Sequence, residues 1–279
     1  MCLRRYTVNG TTVFQSALFQ TTSTVIEWDD AVLIVDPNTL PAEIEEIQQH
    51  VNKIRGNKAC YLLFTHGDFD HIIGYRAFPD TIVIASEELL RHPQKERKLQ
   101  LIRDFDQTYY ITRSYPIEFP QPDIVISEDS QQIQVGSVTL TFYKAPGHSA
   151  DSLFTVIDSA GVFLAGDYLS DFELPFIYHS ANAYEDTLKK AQTILDNHAI
   201  CLLIPGHGRH TEDRQEMQRR IEQSLQHLDR LKKAAVSGDE QALARLAQEH
   251  GFPSSFTEES HAENIRIIRE ESTYTEEKL

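Results

Sequence analysis

Four times in this chain a short apolar run ends in a polar segment rich in glycine, histidine and aspartate. The segments are L-F-T-H-G-D-F-D-H at 63–71, A-P-G-H-S at 145–149, L-A-G-D-Y at 164–168 and P-G-H-G at 205–208. Short apolar runs of this kind read as buried strands, and strand ends are where a rigid scaffold displays functional side chains. The glycines let backbone pass close to whatever the neighbouring side chains hold. A fold for this chain has to gather four strand ends around one place.

The rest of the pattern supplies those strands. Thr11 to Phe19, Ser23 to Trp28 and Ala31 to Val35 read as strands, with Asp29-Asp30 as the turn between the last two. Ile44, Ile47 and Val51 then recur at helical spacing behind Pro41, and strands follow at Tyr61 to Phe64 and Thr81 to Ile84. Ser86 to Gln107 is helical and charged, with a break at Pro93; Thr108 to Asp123 is irregular and carries Tyr109, Tyr110, Tyr115 and Phe119. Residues 86–123 therefore read as an inserted cap or lid. Strands resume at Ile124 to Ile126, Gln131 to Val135, Val138 to Tyr143, Leu153 to Ile157 and Val162 to Leu164. A helix at Tyr184 to Leu195 leads to a strand at Ile200 to Ile204. Helices at Arg214 to Lys233, Glu240 to Glu249 and Glu258 to Glu270 close the chain, with Ser272 to Leu279 expected to fray. The class is α/β: an αββα four-layer sandwich of two mixed sheets flanked by helices. Residues 1–210 form the catalytic domain, and 211–279 a helical extension packed on it that could also serve a homodimer.

Charge narrows the partners. A formal net charge of −16 disfavours DNA and RNA, which need surplus lysine and arginine to neutralise phosphates. The longest apolar runs are too short to cross a bilayer, and Met-Cys-Leu-Arg-Arg lacks the apolar stretch of a signal peptide, so the expectation is a cytoplasmic protein that acts on a small molecule. Cys2, Cys60 and Cys201 are too few and scattered for a disulfide framework and read as small core residues.

Together the four segments offer His66, Asp68, Asp70, His71, His148, Asp167 and His207, about what two first-row divalent ions need with a shared water. Each has a bland alternative taken singly: a packed or surface histidine for His148 or His207, a turn for Gly166-Asp167, an acidic loop for 65–71. Four segments in sequence, each at a strand end, favour the metal site. Tyr168, directly after Asp167, is either an oxyanion hydrogen-bond donor or a packing aromatic, and His179 and His210 read as surface residues.

These motifs resemble the metallo-β-lactamase-fold superfamily of metallohydrolases, marked by His-x-His-x-Asp-His followed by His, Asp and His on an αββα sandwich. The resemblance spans about residues 12–210. It implies that His66, position 68 and His148 hold one metal, that Asp70, His71 and His207 hold the other, and that Asp167 bridges. It also implies that Asp36, in L-I-V-D-P, is the buried acid beneath the site.

Asp68 departs from the pattern, which has histidine there. Positions 66 and 68 of an extended loop face the same side, so the carboxylate can ligate, and a third carboxylate brings the site charge from about +1 to about zero. That would favour manganese or iron over zinc; alternatively Asp68 does not ligate and only the second position fills. The implied activity is hydrolysis of a small ester, thioester or lactone by a metal-bound hydroxide, with Asp70 orienting the water and the aromatic stretch 108–119 and the helical tail walling the cleft. The rivals are an iron-dependent redox enzyme on the same fold, reminiscent of the family's diiron members and sulfur dioxygenases, and a non-catalytic metal-stabilised binding module.

Overall fold

The computed structural model describes residues 3–276, with side chains through Thr273. Strands β1 (Arg4–Val8), β2 (Thr11–Gln15), β3 (Thr22–Glu27), β4 (Ala31–Val35), β5 (Ala59–Leu63), β6 (Ile82–Ser86) and β7 (Ile124–Ile126) form a seven-stranded sheet in sequence order. Pairing is antiparallel as far as β4 and parallel from β4 to β7. Strands β8 (Gln131–Val135), β9 (Val138–Lys144), β10 (Leu153–Ile157), β11 (Val162–Leu164) and β12 (Leu202–Ile204) form the second sheet, ordered β12-β11-β10-β9-β8, with only the β11–β12 pair parallel.

Both faces of each sheet are covered, which is why the strands read as continuous apolar runs rather than as alternation. Val13, Ile26, Leu33 and Leu63 pack between the sheets against Leu140, Phe142, Leu164 and Ile204. Their chain neighbours Phe14, Val25, Ile34 and Leu62 point the other way, into a layer with Ile44, Ile47 and Val51 of helix α1 (Pro41–Arg55). On the far sheet Phe154, Phe163 and Leu203 face outward against helix α5 (Ala181–Asn197). Each such side chain, fully buried, contributes about 1.5–3 kcal/mol, so this two-sided patterning dictates the four layers.

The insertion between β6 and β7 begins as α3 (Glu87–Leu90) and, after the break at Pro93, continues as α4 (Lys95–Thr108). The C-terminal extension is α6 (Arg214–Ser237), α7 (Glu240–Ala247) and α8 (Ser255–Glu276). Leu228, Leu231, Leu243, Leu246, Ile267 and Ile268 join Phe154, Tyr184 and Leu188 in one apolar cluster, so the extension completes the core on that face.

Several expectations need correction. Strand β1, with only Tyr6 and Val8 half-covered, carries too little apolar signal for a hydrophobicity-based reading. Helix α8 runs through Glu276, past the expected fraying point, and residues 277–279 lie outside the described residues. Cys60 is buried as expected, whereas Cys201 is exposed because it precedes β12; Cys2 lies outside the described residues. Among the described residues no helix is long and apolar enough to cross a membrane.

Candidate metal centre

The four segments meet at one end of the sandwich, where main-chain hydrogen bonds fasten them together. Leu153 N donates to Thr65 O (2.8 Å), Ala165 N to Ile204 O (2.9 Å) and Thr22 N to Gly206 O (2.7 Å). Asp70 and His71 sit on the single turn α2 (Phe69–Ile72) that follows β5. Gly206 is needed where it stands: a Cβ there would lie 2.2 Å from Asp167 Oδ1.

Every imidazole is fixed through Nδ1 and presents Nε2 to a common centre. His148 Nδ1 donates to Phe176 O (2.9 Å), His207 Nδ1 to Phe19 O (2.8 Å) and His71 Nδ1 to Asp36 Oδ2 (3.0 Å). His66 Nδ1 donates to Thr65 Oγ1 (3.0 Å), whose own proton goes to Asp36 Oδ2 (2.6 Å). Asp36, 2% exposed, thus orients two of the four rings, one directly and one through Thr65. Such partners set the tautomer that leaves Nε2 free for a cation.

At the centre, Asp167 Oδ1 lies 3.0 Å from His71 Nε2, while Oδ2 lies 3.3 Å from both His148 Nε2 and His207 Nε2 and 3.5 Å from His66 Nε2. Asp70 Oδ2 is 3.3 Å from His207 Nε2 and 3.7 Å from His71 Nε2. His66 Nε2, His148 Nε2 and Asp167 Oδ1 are buried without a hydrogen-bond partner, an expensive condition that a bound cation relieves. Among the described residues two groups could hold a metal ion, His66 with His148 and Asp167, and Asp70 with His71 and His207. Burial alone would raise the Asp167 carboxyl, but His207, His71, His66 and His148 around it hold it well below the usual carboxylate range. Burial would lower His71 and His207, yet Asp167 and the neighbouring acids push both well above the usual histidine range.

Asp68 is at the site, but it has another partner. Its Oδ2 is 3.3 Å from His148 Nε2 and 3.9 Å from His66 Nε2, while Oδ1 pairs with Lys98 Nζ from α4. Burial opposes the charge on Asp68, and Lys98 chiefly, with the two histidines, holds the carboxyl well below its usual range. Lys98 changes the charge count made from the metal loop alone: its ammonium offsets the third carboxylate and returns the centre to the charge of a site with two. Nothing in the metal motifs signals Lys98, which arrives 30 residues later from the insertion.

Tyr168 is corrected as an oxyanion donor. Its ring is 1% exposed, its hydroxyl proton goes to Ala145 O (2.9 Å), and the oxygen accepts from His148 N (2.8 Å). The packing alternative holds: Tyr168 braces the segment that carries His148. His210 packs on Tyr6 and His179 is exposed, and neither belongs to the groups that could hold a metal ion. The expected contribution of the stretch 108–119 to the cleft wall also needs correction. Tyr109 and Tyr110 face solvent, and of the stretch 108–119 Phe119 is the aromatic against the metal loop, where a Cβ on Gly67 would lie 3.3 Å from its ring. A separate group of phenylalanines lines a neighbouring cavity: Phe19, Phe172 and Phe176, together with Phe252 and Phe256 from the helical tail.

Comparison with known proteins agrees with this geometry. The chain has no match among curated proteins. Among solved structures it is similar to a metallo-beta-lactamase from Pontibacter korlensis (TM-score 0.58, 14% identity, 82% of this chain and 99% of that one). It is also similar to a metallo-beta-lactamase family protein from Thermus thermophilus (TM-score 0.64, 18% identity, 97% and 93%). A third likeness is to the stereoselective inverting sec-alkylsulfatase Pisa1 from Pseudomonas sp. (TM-score 0.70, 13% identity), which covers 95% of this chain but 49% of that one. At these identities the likenesses establish the fold. The model of the Metallo-beta-lactamase superfamily matches residues 17–222, a span that holds all four converging segments, and the chain therefore belongs to that superfamily.

Proposed function

We propose that this chain is a dinuclear metal-dependent hydrolase that cleaves a small ester, thioester or lactone. The observation that carries the reading is the centre itself: four Nε2 atoms with every Nδ1 tied back, gathered on one carboxylate. His66, His148 and Asp68 would hold one divalent ion and Asp70, His71 and His207 the other, with Asp167 between them. Zinc is the first expectation, because an imidazole-rich set suits it. The carboxylate at position 68 leaves room for manganese or iron.

Ions at these positions supply Lewis acidity and lower the pKa of a water near neutrality. The remaining work belongs to the chain. Asp70 is 7% exposed and has a carboxylate oxygen beside both His71 and His207; there it would take the attacking water's proton and return it to the leaving group. Asp36 and Thr65 hold His71 and His66 in the tautomer that faces the centre. No serine or cysteine nucleophile is required.

The test is a panel of neutral esters, thioesters and lactones assayed after chelation and after re-addition of zinc or manganese. Turnover abolished by chelator, restored by metal and lost in Asp70→Asn supports the reading. Metal-loaded protein that turns over none of the three classes defeats it.

A further inference from the structure

Beside the Phe19 and Phe176 carbonyls that hold His207 and His148 lies a cavity of 320 Å³ with five phenylalanines in its walls, and Glu173 and Phe176 of those walls also line a recess with Asp167 and His207. It is built from three distant stretches of chain: Phe19, the segment bearing Phe172 and Phe176, and the C-terminal extension, with Phe252 in the turn between α7 and α8 and Phe256 in the first turn of α8. The rings contact one another, Phe172 on Phe252 at 5.1 Å, Phe176 on Phe256 at 5.6 Å and Phe19 on Phe256 at 6.3 Å between centroids.

Two of these residues serve the metal centre and the cavity at once. Phe19 O receives the His207 Nδ1 proton and Phe176 O that of His148, so the cavity touches the supports of both metal groups. Phe19 does so with φ at +54° and Gln20 follows at +50°, a left-handed conformation unfavourable for a bulky side chain. The backbone is strained where it aims a carbonyl at the centre and a ring at the cavity. Phe19, Phe252 and Phe256 are nevertheless 42%, 56% and 47% exposed. Exposed apolar surface gathered beside a polar centre marks a binding site rather than unfinished packing.

We propose that this cavity takes an uncharged hydrocarbon group, alkyl or aryl, of the substrate cleaved at the metal centre. The inference rests on the hydrolase reading for the scissile group and adds the substrate class. Glu173, the acid in the wall, lies 3.8 Å from His207 Nδ1 and offers an anionic tail no counter-charge. Among the described residues the wall contains no lysine or arginine to receive one. The C-terminal extension, which supplies Phe252 and Phe256, is thereby part of the substrate site.

The test uses straight-chain alcohols from butanol to decanol, which need no hydrolysis to bind, titrated calorimetrically into the full-length, metal-loaded chain. Affinity is expected to rise about fourfold per methylene, as each buried CH₂ dictates, and to level off when the cavity is full. Phe256→Ser and Phe252→Ser, at exposed positions that leave folding intact, are each expected to weaken octanol about tenfold without altering metal content. Affinities that do not change with chain length, or that both variants leave untouched, overturn the proposal. A graded alcohol series with no ester, thioester or lactone turnover retains the cavity and defeats the hydrolase reading. Ester turnover indifferent to chain length, together with a flat alcohol series, does the reverse.

Discussion

Replacing Lys98 with methionine separates a charge role from a packing role at the metal centre. The ammonium pairs with Asp68 Oδ1, and the two side chains are 19% and 14% exposed, so water screens the pair poorly. Opposite charges about 4 Å apart in a medium of effective dielectric near 20 attract by about 4 kcal/mol. Removing one partner of a buried pair and leaving the other charged costs about 3–5 kcal/mol. Methionine keeps much of the side chain's apolar length, so packing is largely preserved. In metal-free protein the variant is expected to lose about 3 kcal/mol, or about 5 °C in Tm for a chain of this size. A cation beside Asp68 does the work of the missing ammonium, so the metal-loaded Tm should fall far less, and the metal-induced rise in Tm should exceed that of the wild type. Thermal denaturation after chelation, with and without re-added zinc or manganese, reads both quantities. Equal losses in the two states would show that Lys98 acts through packing alone and that Asp68 does not sense the metal.

Two further outcomes follow from particular contacts. Gly206→Ala places a Cβ 2.2 Å from Asp167 Oδ1 and against the Gly166 backbone, so Asp167 must move; metal content by elemental mass spectrometry should fall to one equivalent or less while far-UV circular dichroism is retained. His227, buried in α6 beside His250, has its pKa pushed down to about 4, chiefly by burial, against about 6.5 in an unfolded chain. The unfolded chain therefore takes up the proton first, and stability present above pH 6.5 is lost as pH falls toward 4. Urea unfolding of the wild type should show this residue's share as about 2 kcal/mol lost between pH 7.5 and 5, a slope that His227→Gln flattens.

Much of this was legible in the sequence because the sheets are buried on both faces. Runs such as Ala31 to Val35 and Leu153 to Ile157 match the strand limits to the residue, since every position in them packs against something. The same logic hides β1, whose residues Arg4 to Val8 alternate between solvent and partial cover with little apolar signal. The seven histidine and aspartate side chains of the candidate centre announce themselves by residue type and by glycine beside them. Lys98 and Phe19 do not: one reaches the centre from a charged helix, the other acts through its carbonyl and an unusual φ, neither of which sequence spacing encodes. Tyr168 shows the opposite failure, where adjacency to Asp167 suggested chemistry and the ring turned into the core. The aromatic stretch 108–119 misled in the same way, because counting aromatics does not tell which way they face.

The number of metal ions each chain holds decides most directly whether the centre is dinuclear. Elemental mass spectrometry on protein purified without chelator, alongside His148→Ala and His207→Ala, is expected to give close to two equivalents of zinc or manganese for the wild type and about one for each variant. A metal-free wild type that takes up none on titration would contradict the account. About one equivalent of iron, with oxygen consumed in the presence of a thiol, would replace the hydrolase with a redox enzyme on the same fold.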